Sequence, residues 1–407
     1  MSRILPLLIL HCLASTLFPQ DLQKNEAPNL YIDCRSCDMN YIRTEMDYVN
    51  YVIDRNDADV FIMITRQTTG SNGRKYTLTT EGHQRFEGMR DTLVFVTDQE
   101  MSSDEIRNET LKWLKLSTVR YLNKTPLAKD LSIKFNQHTV IEQPEDQWNY
   151  WVFRSRLNGW FNGQSSYSSL NAHWSFTASR TTDDLKLRFQ LRGSYNEDRY
   201  VYDDETYINI SRNPGFNSMV VMSISDHFSA GFRAGAFIST YSNLDRAYWV
   251  NPTVEYNVFP YHESTRREFR FQYNVGWLMH DYHEVTLYDQ TMERRLRETL
   301  EIDFELHKPW GSAELNLEGS HYFHDLKKNR ISIYGELSLK VLKGFSFNID
   351  GRYSLIHDQL NLPKGEATQE EVLLRAQELE TQYSYWGSMG ISYTFGSIYN
   401  NIVNPRF

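Results

Sequence analysis

Histidines beside acidic residues recur at positions that read as strand ends in the second half of the chain. They are His280, His283, His321, His324 and His357, with Asp281, Asp325 and Asp358 next to them. Imidazole together with carboxylate suits Zn²⁺ or Cu²⁺, and it also suits a pH-sensitive latch between loops. A plainer interpretation is that histidine, like Tyr and Trp, belongs to an interfacial belt. The sequence leaves both interpretations open.

Cys34 and Cys37 enclose Arg35 and Ser36, and Cys12 is the third cysteine of the chain. In an exported protein this spacing indicates a local disulfide or a redox pair. A redox pair would stand between a strand and a helix, which residues 30–33 and 38–52 are expected to form. Two thiols cannot complete a four-ligand zinc site. A small staple is the preferred prediction, and its stabilisation should be modest because so short a loop constrains little of the unfolded chain.

Catalytic motifs are missing from the chain. The patterns of serine hydrolases, zinc proteases and phosphate-binding loops do not occur. An enzyme at the strand ends would need a nucleophile and a base close together, and no such pair stands out. We therefore predict no enzymatic activity and no cofactor.

Length and composition narrow the class of protein. The 407 residues carry 43 Lys and Arg against 52 Asp and Glu, a net charge of -9 that disfavours nucleic-acid binding. Aromatic residues make up 14%, more than a disordered chain would hold. No apolar run of about 20 residues follows the first twenty positions, which argues against a helical membrane protein. A β-rich or mixed protein remains.

Residues 1–20 have the layout of a secretory signal peptide. Arg3 precedes an apolar run that ends at Phe18, and polar Gln20 follows. The run is too short to span a membrane comfortably. His11 stands before Cys12 where a lipoprotein signal has a small residue, so lipidation is not expected. The pattern predicts export.

Residues 28–125 predict a compact α/β domain, and a linker is expected over 126–147. Apolar runs at 59–65 and 92–97 indicate strands, and 75–80 is expected to pair back as a hairpin. Ser103 is the predicted N-cap of a helix that runs to Leu122. The core-facing residues of this helix are predicted to be Ile106, Leu111, Leu114, Leu116 and Val119. The order β-α-β-β-β-α predicts a sheet with helices on one face.

From about Trp148 onward, apolar and polar residues alternate in runs of about ten residues. A soluble β-sandwich shows the same alternation, so the number of strands and their connections decide. We count about twelve long strands, an even number, joined by tight turns that alternate with long connections. Aromatic residues gather at strand ends, and the chain ends at Phe407. Residues 148–407 therefore predict an antiparallel transmembrane β-barrel.

The segments 33–38, 41–45 and 396–407, behind an N-terminal signal, resemble uncharacterised Gram-negative outer-membrane β-barrel proteins with an N-terminal periplasmic α/β domain. The resemblance extends over nearly the whole mature chain. It implies a location in the bacterial outer membrane, with the N-terminal domain in the periplasm. It implies no biochemical role.

Charged residues on the barrel strands are assigned to the interior, because lipid tolerates charge poorly. A basic wall is predicted from the first strands, formed by Arg154, Arg156, Lys186, Arg188, Arg192 and Arg233. An acidic wall is predicted from the later strands, formed by Glu301, Asp303, Glu305, Glu314, Glu318, Glu336 and Asp350, with Arg352 among them. The two walls would either filter solutes by charge and size or pair across a narrow lumen.

Twelve strands enclose less space than the roughly 16 to 18 of an open porin, so a narrow or plugged lumen is preferred. The long connection 365–382 is expected to hold a short helix over 370–379. That helix either lies against or over the mouth or is an exposed helix with no role.

Three functions follow from this sequence reading. The first is a narrow channel or transporter for small polar solutes, whose periplasmic domain docks a partner or gates the inner mouth. The alternative is a non-conducting structural or assembly protein, with the barrel as anchor and the periplasmic domain as the working part. The least favoured is an enzyme at the outer rim. Lipid and a periplasmic protein are the expected partners, and nothing indicates the oligomeric state.

Overall fold

The computed structural model describes residues 26–69, 73–134, 146–202, 205–365, 378–397, 399–401, 403–404 and 406. The predicted signal peptide, most of the predicted loop helix and Phe407 lie outside these residues. Among the described helices, none has the length and apolar character needed to cross a membrane.

The N-terminal part, which we call the head domain (residues 28–131), is a mixed sheet with two α-helices. The strands are β1 (Asn29–Asp33), β2 (Asn50–Tyr51), β3 (Val60–Thr68), β4 (Arg74–Gly82) and β5 (Arg90–Thr97). The helices are α1 (Met39–Glu45) and α2 (Ser103–Leu122). The sheet order is β2-β1-β3-β4-β5, and β1 runs parallel to both of its neighbours.

Helix α1 is shorter than the sequence predicts, because the chain turns back to form β2. Tyr51 of β2 is buried, and its hydroxyl donates to the carbonyls of Ile42 and Met46 at 3.2 and 3.1 Å. These carbonyls lie at the end of α1, where a helix runs out of its own donors. Burial raises the pKa of the Tyr51 phenol well above its ordinary value.

Helix α2 spans the predicted residues, but its N-cap is Ser102 rather than Ser103. The Ser102 hydroxyl accepts from the Glu105 amide at 3.3 Å, and the Glu105 carboxylate accepts from the Ser102 amide at 2.7 Å. These bonds form a capping box and lower the pKa of Glu105. Leu111 and Leu114 are buried as predicted, whereas Leu116 is 49% exposed.

The second part of the chain is one large antiparallel sheet of 13 strands. Its first strands are β6 (Trp151–Gln164), β7 (Tyr167–Thr181), β8 (Leu185–Tyr202), β9 (Glu205–Arg212), β10 (Gly215–Ser223), β11 (Phe228–Ser239) and β12 (Leu244–Asn257). The remaining strands are β13 (Arg267–Tyr282), β14 (Met292–Lys308), β15 (Gly311–Tyr322), β16 (Asp325–Leu342), β17 (Phe345–Ile356) and β18 (Tyr383–Tyr393).

Strands β9 and β10 pair with opposite halves of β8, so together they take the place of one strand. The break between them contains Pro214, which has no amide hydrogen to donate to a ladder. Counted this way, the sheet matches the predicted set of about twelve strands. Strands β6 and β18 are its two edges, and no ladder joins them among the described residues. The sheet is therefore open, and the predicted closure is not part of this structure.

The two faces of this sheet differ in polarity. Their distribution of polar and apolar side chains is the reverse of that in a water-soluble sheet. Most of the sheltered side chains are polar, among them Gln272, Thr299, Ser320, Ser332 and Ser354. The exposed side chains of the other face are large and apolar, among them Leu157, Phe161, Trp174, Val250, Leu300 and Ile349. We call these the polar face and the apolar face.

Candidate functional site

A row of acidic side chains crosses the polar face on five consecutive strands. The residues stand opposite one another in register from β13 to β17 and are Glu268, Glu305, Glu314, Glu336 and Asp350. We call this row the carboxylate ladder. Like charges placed directly opposite each other destabilise a sheet, so the row is a cost to folding.

Arg270 lies beside the ladder and offsets part of its charge. Its guanidinium is 2.9 Å from Asp303, 3.4 Å from Glu268 and 3.9 Å from Glu255. Asp303 also accepts a hydrogen bond from Asn316 at 2.6 Å. One positive charge therefore lies among three carboxylates, so this part of the face keeps an excess of negative charge.

All seven residues of the predicted acidic wall lie on this face of β14 to β17. Glu301 and Glu318 form a second opposed pair, and Gln272 donates to Glu301 at 3.1 Å. The predicted acidic wall did not include five further polar residues of the same region, which are Glu255, Glu268, Arg270, Gln272 and Asn316. The signal for most of them was present, because polar residues alternate with Phe269, Phe271 and Tyr273 along β13.

The predicted basic residues also lie on the polar face, on β6, β8 and β11. Arg233 donates to Gln272 at 3.0 Å and so reaches the acidic wall through that amide. Within the described residues, no ion pair joins the acidic wall to the other five, which are Arg154, Arg156, Lys186, Arg188 and Arg192. The arrangement of one wall facing the other depends on closure of the sheet and stays a prediction.

The head domain rests on the end of the large sheet that carries the connections β14–β15 and β16–β17, which we call the turn end. Lys340 is 2.7 Å from Asp33, and Lys343 is 2.6 Å from Asp57. The amide of Gly344 donates to Asp54 at 2.6 Å. Acidic side chains of the head domain thus hold the turn between β16 and β17.

The C-terminal segment adds backbone contacts to the same junction. The Tyr51 amide donates to the Asn401 side chain at 2.6 Å, and the Asn400 amide donates to the Tyr51 carbonyl at 2.8 Å. Val52 and Tyr399 form an isolated antiparallel bridge. The edge strand β2 of the head domain is therefore covered by residues that follow the large sheet.

A cavity of about 490 Å³ lies between the head domain and the large sheet. The head domain contributes Arg66 and Gln67 to its wall, and the sheet contributes Glu268, Glu305 and Lys308. Two of these residues belong to the carboxylate ladder. The cavity thus joins the head domain to the acidic part of the polar face.

The opposite end of the sheet, which we call the loop end, is covered by residues 357–364. Leu360 packs with Leu278 and Tyr322 in a buried apolar cluster on the polar face. Asp358 is 2.9 Å from Arg330 and almost fully buried. These contacts hold the segment across the polar face, so both ends of this face are occupied.

The disulfide predicted for Cys34 and Cys37 is present, with the two Cα atoms 5.6 Å apart. It lies between β1 and α1, whose N-cap Asp38 accepts from the Tyr41 amide at 3.0 Å. Both sulfur-bearing side chains are half-buried against the core of the head domain. The pair thus occupies the strand–helix junction that the sequence indicated.

The five histidines do not come together. His280 is on the polar face, whereas His321 is on the apolar face, 2.6 Å from Glu298. His283 is 3.2 Å from Asp245, and His357 is 3.1 Å from Asn329. His324 lies in the turn after β15, where burial lowers its pKa. The described residues contain no group of three or more side chains that could hold a metal ion.

Comparisons with known proteins add little. No protein-family model and no curated protein matches the chain. One solved structure with a detectable likeness is a NanC porin in a rhombohedral crystal form, 11% identical, with a TM-score of 0.28. The match covers 59% of this chain and 99% of the porin chain. A TM-score this low carries no argument about fold or function.

Proposed function

We propose that the chain is an outer-membrane β-barrel protein and that its large sheet closes by pairing β6 with β18. The carrying observation is the inverted distribution of side chains on the sheet. Exposed leucine, valine and aromatic side chains are costly in water but suit lipid, and sheltered polar side chains suit an interior. The even strand count, with β9 and β10 taken as one, agrees with a closed antiparallel barrel.

The proposed barrel is a narrow channel for small polar solutes. Its interior is the polar face, and the carboxylate ladder makes cations the preferred solutes. The head domain covers the turn end and serves as a gate on the periplasmic side. Residues 357–364 cover the outer end. With both ends covered, this conformation corresponds to the non-conducting state of the proposed channel.

Planar-bilayer recording with the full mature chain tests this function. We expect low conductance from the parent protein and a clear rise when Lys340→Ala and Lys343→Ala loosen the head domain. Lys327→Ala is the matched control, since this lysine lies on β16 at the loop end. Cation preference should fall in Glu314→Gln. If neither the parent nor any variant conducts, the channel proposal is wrong.

A non-conducting anchor is the second candidate, and the coverage of both ends favours it. In that case the head domain is the working part, and the barrel only holds it at the membrane. Persistent silence in bilayers combined with an envelope defect after deletion of residues 28–125 supports the anchor. An envelope that stays normal after this deletion contradicts the anchor.

The membrane location has its own test. Cell fractionation should place the protein in the outer membrane, and an unboiled sample should migrate differently from a boiled one on a denaturing gel, as folded barrels do. Recovery in the soluble periplasmic fraction would overturn the proposed barrel whatever the conductance.

A further inference from the structure

Arg35 joins the disulfide loop of the head domain to the large sheet. It stands between Cys34 and Cys37, so the disulfide closes a ring around it. Its guanidinium donates to the Ser312 hydroxyl at 3.1 Å and is 3.7 Å from Glu336 of the carboxylate ladder. A covalent ring in the head domain thus presents the cation that meets the sheet.

The disulfide is also open to a reaction partner. Cys37 and Ser36 line a cavity of about 490 Å³ on the head domain, together with Asp38, Tyr76 and Arg107. Neither cysteine is fully buried. A thiol that enters this cavity lies next to Cys37 of the folded domain.

We propose that Cys34 and Cys37 form a thiol–disulfide exchange site for a dithiol partner and that their redox state is coupled to docking of the head domain. The oxidised ring limits the positions that Arg35 can adopt, which lowers the entropy lost when it binds Ser312 and Glu336. Reduction opens the ring, and the same contact then requires more ordering. The head domain is held more weakly in the reduced state.

The exchange step uses two electrons from the partner. A thiolate of the dithiol attacks the Cys37 sulfur, the bond to Cys34 breaks, and Cys34 leaves as a thiolate that takes up a proton. The second thiol of the partner then loses its proton and attacks the mixed disulfide, which releases Cys37 as a thiol. The partner ends as a disulfide and the head domain as a dithiol.

Coupling of this kind works in both directions, which supplies the test. If reduction weakens docking, then docking must disfavour reduction by the same factor. The full mature chain is equilibrated with mixtures of reduced and oxidised dithiothreitol, and the thiol fraction is read by maleimide labelling. We expect Glu336→Gln, and separately Lys340→Ala with Lys343→Ala, to shift this equilibrium about fivefold toward the dithiol. Lys327→Ala, on β16 at the loop end, is the control and should leave it unchanged.

Hydrogen exchange supplies the second measurement. The amides of Tyr51, Asn400 and Gly344 donate across the junction and report docking. Their exchange should rise about fivefold when the disulfide is reduced, while amides of β3 and β4 stay protected. In the paired Cys34→Ser and Cys37→Ser variant these amides should exchange as fast as in the dithiol form of the parent, with or without dithiothreitol.

Either of two results overturns the proposal. One is a redox equilibrium that is the same in the parent and in both docking variants. The other is a disulfide that dithiothreitol reduces only after the whole head domain has unfolded. Neither measurement requires conductance, so failure here is distinguishable from failure of the channel.

Discussion

Lys340 and Asp33 meet across 2.7 Å although they are 307 positions apart in the chain. The lysine belongs to β16 of the large sheet, and the aspartate ends β1 of the head domain. Both side chains are about one-third exposed, so the pair is partly protected from solvent. This contact is a main fixed point between the two parts of the molecule.

Reversal of this ion pair should preserve docking, whereas removal of one partner should weaken it. Lys340→Ala is expected to cost on the order of 1 kcal/mol of docking free energy. The paired Asp33→Lys and Lys340→Asp variant should recover most of it. Hydrogen exchange at the Gly344 amide measures docking, and Lys327→Ala is the control. Equal loss in the reversed pair would show that the contact contributes by packing and not by charge.

Neutralising the carboxylate ladder should stabilise the folded sheet. Glu314 faces Glu305 on one side and Glu336 on the other, so Glu314→Gln removes two opposed like-charge contacts. We expect a gain of roughly 0.5 kcal/mol, measured by denaturant titration in detergent. Glu298→Gln is the contrast, because Glu298 is bound by His321 and Tyr273 and its loss should destabilise. A loss of stability in Glu314→Gln would mean that the ladder is not repulsive.

Leu360 should control the closure of the loop end. It is 95% buried against Leu278 and Tyr322, so Leu360→Ala leaves a cavity where the segment meets the polar face. We expect a loss of about 2–3 kcal/mol and faster proteolysis within residues 357–364. Leu326→Ala is the control because Leu326 is exposed. Unchanged proteolysis would show that Asp358 and Arg330 hold the segment without help.

Stability of the head domain should fall in alkali. Burial raises the pKa of Tyr51, Tyr48 and Tyr121 above the unfolded value. A raised phenol pKa contributes stability that is complete below pH of about 10 and is lost as pH rises through the folded pKa. Circular dichroism of the full chain against pH should show the head domain unfolding first.

Tyr51→Phe separates the phenol from the rest of the domain. The substitution removes the hydroxyl that binds the Ile42 and Met46 carbonyls and should cost about 1–2 kcal/mol near neutral pH. The alkaline loss should be smaller in this variant than in the parent. An identical alkaline profile would assign the transition to the other tyrosines.

The strands of the large sheet were predictable because apolar and polar residues alternate with a period of two within each strand. Residues 331–341 alternate strictly, and the sheet places them in β16 with the expected faces. The same rule placed the acidic wall on one face. Helix α1 was predicted too long because the sequence does not show that residue 51 lies in a separate strand. From that strand the Tyr51 hydroxyl donates to carbonyls at the end of α1.

Contacts between distant segments had no local signal. Nothing in the sequence near Lys340 indicates that Asp33 is its partner, and nothing near Leu360 indicates Tyr322. The histidines illustrate the same limit, since similar positions along their strands place His280 and His321 on opposite faces. Periodicity gives the face of a residue but does not give the element that covers it.

The junction at Tyr51 imposes an order on assembly of the protein. The amide of Tyr51 is satisfied by Asn401, which is synthesised 350 residues later. The edge of β2 therefore stays open until the C-terminal segment has been synthesised, and loop-closure entropy makes this contact slow to form. An exposed strand edge invites chaperones and other chains. Capping of β2 is thus a late step in folding, completed only after the whole large sheet has been synthesised.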